Sequence, residues 1–209
     1  MRSEEIKIKS SGVGMEEALA LTEETASKNG LEGKARLRLR LLAEELIGIM
    51  RGLAGNVAAF YTIESEENKK FILHLRANVT MARKLHDQLV ALSTSGKNFA
   101  VKGFMGRIRE MIAVALLPSE DALSFTGGPS FGMVGIAGST SSDAQIIGST
   151  SFEWTLSNYR HEVETKLSKS NDAKEAWDEL EKSIVANLAD EVRVSVVGSS
   201  AEIIIFKTF

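Results

Sequence analysis

KARLRLRLLAEELIGIMRGL, residues 34–53, is the most informative segment of the chain for its fold. Its apolar side chains recur every three or four residues, which predicts an amphipathic helix with one buried stripe. The face beside that stripe holds Glu44, Glu45 and Gly48. A glycine inside a helix costs about 1 kcal/mol relative to alanine, and close approach of another backbone or of a ligand would offset that cost. The predicted buried stripe is Ala35, Leu39, Leu42, Leu46, Ile49 and Leu53.

Two β-hairpins are predicted around this helix. Residues 57–64 and 70–80 read as strands joined by the polar residues 65–68, and residues 192–197 and 202–209 read as strands joined by Gly198-Ser199-Ser200. Because the strands arrive as adjacent hairpins, the simplest packing is a mostly antiparallel mixed sheet with helices on one face. The predicted class is therefore α+β, a two-layer α/β sandwich.

The remaining segments complete this pattern. Ile6 and Ile8 alternate with charged residues as in a short strand, and residues 152–163 fit either a strand or a helix. Further helices are predicted at 15–28, 81–92, 103–117 and 173–189 from apolar spacing.

The length and composition of the chain restrict the classes of function that it could have. The 209 residues suit a single domain, 1–209, and the 44% apolar content is enough for a core. A net charge of −3 argues against nucleic-acid binding, and the chain has no cysteine for disulfides or thiolate metal sites.

We expect no membrane partner and a cytoplasmic location, because no signal peptide is evident and the longest apolar run, 111–117, is too short to cross a bilayer. The histidines, His74, His86 and His161, show no metal-ligand spacing.

Residues 119–151 differ from the rest of the chain. They are rich in glycine, serine and threonine, carry almost no charge and contain scattered apolar side chains. This composition predicts an insertion in the domain that becomes ordered against a second copy of the chain or a ligand cleft.

The segment Leu41–Arg51 resembles the first conserved box of the Bergerat-fold ATPases, the superfamily of gyrase, histidine kinases and bacterial anti-sigma-factor kinases. In that family the helix carries a glutamate that serves as, or positions, a general base, and four residues later an asparagine that binds magnesium. The resemblance implies the catalytic role for Glu44, or for Glu45 in the shifted frame. Gly48 occupies the asparagine position, so the resemblance implies no magnesium ligand there.

The family's other nucleotide-binding motifs are partly matched. The adenine-binding aspartate is expected after the second strand of the first hairpin, where this chain has Asn78, whose amide could hydrogen-bond a base edge. Residues 102–107 open a predicted helix, where backbone N–H groups and the helix dipole favour a phosphate. The phosphate-binding residues implied are Lys97, Lys102, Gly103 and Gly106.

Two functions follow from the resemblance. The first is a regulatory module of the signalling type with a histidine-kinase-like ATPase fold, which binds ATP or ADP through diverged motifs. The second is a pseudo-ATPase, a scaffold that binds a protein partner or forms a homodimer without nucleotide. Because the asparagine and the aspartate of the ATPase motifs are replaced, neither function implies catalysis.

Overall fold

The computed structural model describes residues 1–52, 58–78, 104–106, 108, 112, 151–198 and 200–209. Short 3₁₀ helices at Ile49–Gly52 and Glu67–Lys69 accompany the regular elements. The described residues between 104 and 112 are also helical, within the helix predicted at 103–117. The elements in chain order are β1 (Ile6–Lys9), α1 (Met15–Lys28), α2 (Gly33–Gly48), β2 (Ala58–Glu66), β3 (Lys70–Asn78), β4 (Ser151–Thr155), α3 (Leu156–Lys166), α4 (Asn171–Lys182), α5 (Ile184–Leu188), β5 (Glu191–Val197) and β6 (Ser200–Thr208).

The described strands form one six-stranded sheet in the order β1-β2-β3-β6-β5-β4. Every pairing among them is antiparallel. Both predicted hairpins are confirmed, β2 with β3 and β5 with β6, and the pairing of β3 with β6 joins them into one sheet. The predicted α+β class with an antiparallel sheet is therefore confirmed. The ATPase-type fold stays a prediction.

One face of the sheet carries the core. Along each strand alternate side chains point to opposite faces, and the set that includes Tyr61, Leu73, Ile205 and Val194 is buried. The helices α1, α2 and α3 contact the sheet, and α4 packs on α3 and α5. The predicted two layers are present in the described part of the chain.

Helix α1 has the predicted bounds because both of its ends are fixed by local sequence. Gly14, which precedes it, has φ of 82°, and a Cβ at this position would lie 2.1 Å from the carbonyl oxygen of Lys7. At the other end the N–H of Gly30 donates to Ser27 O, and the N–H of Leu31 donates to Ala26 O. This pair of bonds is the Schellman pattern, with glycine in the left-handed conformation that the pattern favours.

Two predicted helices need correction. The helix predicted at 173–189 is broken at Ser183, whose extended backbone ends α4 and whose side chain accepts the N–H of Ala186 as the N-cap of α5. The helix predicted at 34–53 begins at Gly33 and ends as an α-helix at Gly48, after which the backbone tightens into the 3₁₀ helix. Both breaks fall at serine or glycine, where competing local hydrogen bonds or backbone freedom weaken the α-helix.

The ambiguous segment 152–163 contains both kinds of element. It is strand through Thr155 and helix from Leu156, and the Thr155 side chain accepts the N–H of Asn158 as an N-cap. The predictions for 81–92 and for the insertion at 119–151 lie outside the described residues, apart from Ser151 in β4. No helix of the described ranges has the length and apolar character needed to cross a membrane.

Candidate functional site

Helix α2 supplies the framework of the candidate site. Leu39, Leu42 and Leu46, three members of the predicted stripe, are fully buried. The helix contacts β3 and β6, the two central strands of the sheet, as well as α1. The polar face beside the stripe is therefore held at a fixed rotation relative to the sheet, and it carries Glu44, Glu45 and Gly48.

Glu44 belongs to an ion-pair network between α1 and α2. The guanidinium of Arg40 donates from Nε to Glu44 Oε1 at 3.0 Å and from Nη1 to Glu23 Oε1 on α1. The hydrogen bond donated by Arg40 lowers the pKa of Glu23, and the hydrogen bonds that Arg40 donates to Glu23 and Glu44 raise its own pKa. The carboxylate of Glu44 is thus an ion-pair partner of Arg40, which also holds Glu23 of α1.

Glu45 and Gly48 lie on the neighbouring part of the same helix. They are three residues apart and therefore share one face, and both are partly exposed. At Gly48 a Cβ would meet no described atom within 4 Å beyond the backbone of its own helix. Close packing of a described element therefore does not explain this glycine, whereas a ligand could approach the backbone here.

The end of β3 and the C-terminal end of α2, which carries Gly48, lie at the same end of the sheet. Five residues separate Gly52 from Ala58, so their Cα atoms lie at most about 22 Å apart, and Ala59 pairs with Ala77, which directly precedes Asn78. Helix α1 runs from this end of the sheet, where Lys9 pairs with Ala58, to Gly30 beside Lys69. Helix α2 returns along α1, so its C-terminal end points to the end of the sheet where β3 ends. The backbone of Asn78 lies opposite Ser200, and its side chain is outside the described atoms.

The sheet has small side chains at this end. Ala59, Ala77 and Ala201 stand side by side on β2, β3 and β6, on the face that packs against the helices. All three are buried, and the next row inward consists of Tyr61, Leu75 and Ile203. The layer between sheet and helix is therefore filled by smaller side chains near Asn78 than in the middle of the domain.

The predicted phosphate-binding residues are only partly described. Lys97, Lys102 and Gly103 lie outside the described residues. Gly106 is helical and buried, next to Met105 and close in sequence to the buried Phe104 and Ile108. Burial favours a packing role for Gly106 over contact with a phosphate.

Sequence reasoning missed an aromatic cluster beside β4. The rings of Phe104, Trp154 and Tyr159 have centroids 5.6–6.3 Å apart with planes tilted by 42–49°. All three residues are buried, so the cluster connects the helical residues near 104 to β4 and α3 through apolar and ring contacts. No periodic pattern signals it, because its members come from three separate segments.

Sequence reasoning also missed the surroundings of His74. Its Nδ1 lies 3.2 Å from Glu202 Oε1 on β6, and its Nε2 lies 3.4 Å from Glu64 Oε1 on β2. His74 thus lies between carboxylates of the two strands that flank β3. Within the described ranges no group of three or more histidine, aspartate or glutamate side chains could hold a metal ion.

Comparison with known proteins gives no relative. No protein-family model matches the chain, and no curated protein or solved structure matches it significantly.

Proposed function

We propose that the chain is a nucleotide-binding regulatory module of the histidine-kinase-like ATPase type that binds ATP or ADP without magnesium-dependent catalysis. One observation carries the proposal. The backbone at Gly48 faces space free of described atoms, at the end of the sheet where β3 ends in Asn78. The Bergerat resemblance expects its nucleotide between these two positions.

The order of the described elements supports the same proposal. A strand and a helix precede the box helix α2, a hairpin follows it, and a helix with a closing hairpin ends the described chain. This is the order that the resemblance implies. A fold type does not by itself imply a function, so the proposed nucleotide binding depends on the free face of Gly48.

The residues fit a nucleotide better than they fit a catalytic metal centre. Gly48 has no side chain to bind magnesium, and the Glu44 carboxylate is engaged by Arg40. Glu45, which shares the face of Gly48, is the remaining acidic group of the box. The proposal therefore assigns binding to this site and assigns no chemical step to it.

The Arg40 network favours a second candidate, the pseudo-ATPase scaffold. Arg40 bridges Glu44 to Glu23 of α1, so the glutamate of the box helps to hold two helices together. A chain that had lost its ligand would retain such a structural role. In that case the function would lie in binding a protein partner.

Thermal unfolding with ATP or ADP, with and without magnesium, distinguishes the two candidates. A nucleotide at about 100 times its dissociation constant should stabilise the fold by about 2.7 kcal/mol, and the shift should not need magnesium. Gly48→Leu should abolish the shift by filling the free face, whereas Leu37→Ala, on an exposed position of the same helix, should retain it. If no nucleotide changes the unfolding temperature, the binding proposal is wrong and the scaffold candidate stands.

A further inference from the structure

The second face of the sheet has no described helix on it. The contacts that define the helix side are Tyr61 with Thr22 of α1 and Trp154 with Tyr159 of α3. Side chains one residue away along the same strands point to the opposite side. We call this side the open face, and it is formed by alternate residues of all six strands.

The centre of the open face has an apolar part, which lies beside His74, Arg76 and Glu202. Ile72 of β3 pairs with Phe206 of β6, and Ile204 lies one row further along. Phe60, Ile204 and Phe206 are half-buried, and among the described residues neighbouring side chains of the sheet cover part of them. One of these is Arg193, whose guanidinium carbon lies 5.0 Å from the centre of the Phe206 ring.

The two edge strands of the open face carry charges of opposite sign that make no ion pair with a described residue. Lys7 on β1 and Glu153 on β4 are both exposed, and neither makes an ion pair with a described residue. Arg76 pairs with Glu5 and Glu64 with Arg2, whereas Arg193 on β5 lies over the Phe206 ring and makes no ion pair with a described residue. One edge therefore carries a cation, and the other edge an anion, that makes no ion pair with a described residue.

Lys7 and Glu153 belong to the same cross-strand row. The register runs from Lys7 through Phe60, Arg76, Glu202 and Ser195 to Glu153. Five strand spacings of about 4.8 Å separate the two ends of this row, about 24 Å in total. The two charges therefore cannot meet within one chain.

We propose that the open face is the interface of a homodimer in which two sheets stack face to face about a two-fold axis parallel to the strands. This axis exchanges the edges, so Lys7 faces Glu153 of the partner subunit, and the apolar centres meet. Sheets pack in this way about 10 Å apart with strands within about 30° of parallel. The self-association is independent of the proposed nucleotide binding.

The size of the face suits such a dimer. Six strands at about 4.8 Å and roughly seven residues at about 3.3 Å give a surface of about 29 by 23 Å, near 670 Å². Stable interfaces bury about 800 Å² per partner. The open face therefore has about the area that a standard dimer requires.

Charge-reversal variants at Lys7 and Glu153 test the proposed contact between the two subunits. Sedimentation velocity over a concentration series should show a dimer for the wild-type chain. Lys7→Glu and Glu153→Lys should each weaken dimerisation about tenfold or more, because each places like charges together at both symmetric contacts. The double variant should restore dimerisation, and Arg38→Glu, on the exposed part of α2, should leave it unchanged.

Circular dichroism confirms that each variant is folded, since both positions are exposed. A wild-type chain that stays monomeric at all concentrations overturns the proposal. A dimer that is indifferent to both single reversals, or that the double variant fails to restore, overturns it as well.

Discussion

The phenol oxygen of Tyr61 lies 2.6 Å from the hydroxyl oxygen of Thr22, and both residues are fully buried. Thr22 also donates its hydroxyl proton to the carbonyl oxygen of Ala18 at 2.8 Å. The Tyr61 hydroxyl is therefore the donor to Thr22, and α1 is joined to β2 by a buried polar contact in an otherwise apolar layer.

This donor order predicts unequal costs for removing the two hydroxyls. Thr22→Val should lower the free energy of unfolding by about 1–3 kcal/mol, because the Tyr61 hydroxyl would stay buried without a partner. Tyr61→Phe should cost about 1 kcal/mol, since Thr22 keeps its bond to Ala18. Urea denaturation measures both. The double variant should cost less than the sum of the single variants, and equal costs for the two single variants would contradict the assigned donor.

Burial of Tyr61 predicts a loss of stability at alkaline pH. Burial raises the pKa of Tyr61 above its ordinary value of about 10. The folded chain keeps this proton where the unfolded chain releases it, so the free energy of unfolding should decrease as pH rises above about 10. Urea denaturation of the wild type and Tyr61→Phe from about pH 8 to about pH 11 should show the wild-type advantage shrinking. A constant difference would contradict the prediction.

Gly14 is predicted to tolerate no side chain. Its positive φ disfavours L-residues, and the Lys7 carbonyl oxygen occupies the place of a Cβ. Gly14→Ala should therefore lower the free energy of unfolding by about 2–4 kcal/mol. Gly12→Ala is the matched control, because Gly12 also has a positive φ but has no atom within 4 Å of its Cβ position. That variant should cost only about 1–2 kcal/mol, and equal costs would show that the contact with Lys7 is unimportant.

Replacing Gly48 by alanine is predicted to stabilise the fold, in contrast to the replacement of Gly14. A Cβ at this position meets no described atom within 4 Å, and alanine favours a helix over glycine by up to about 1 kcal/mol. Gly48→Ala should therefore raise the unfolding temperature of the nucleotide-free chain slightly. A marked decrease would mean that the backbone of α2 is closely packed here, and the free face on which the proposed binding depends would be excluded.

The local pattern of the sequence determined most of the secondary structure. Helix α1 and both hairpins follow from apolar period, turn residues and terminal glycines, which act over a few residues. The sequence also placed Glu44, Glu45 and Gly48 on a polar face of α2. It did not predict the break at Ser183, because the apolar spacing continues across that serine and a single capping bond decides the boundary.

Contacts between segments that are distant in sequence depend on the tertiary structure. The pairing of β3 with β6 brings His74 beside Glu202, 128 residues away, and no local period encodes a contact at that separation. The packing of α1 on α2 likewise brings Glu23 to Arg40, seventeen residues further along the chain. Helix and hairpin formation depend on neighbouring residues, whereas these contacts depend on strand order and helix rotation, which the burial of the whole apolar face selects.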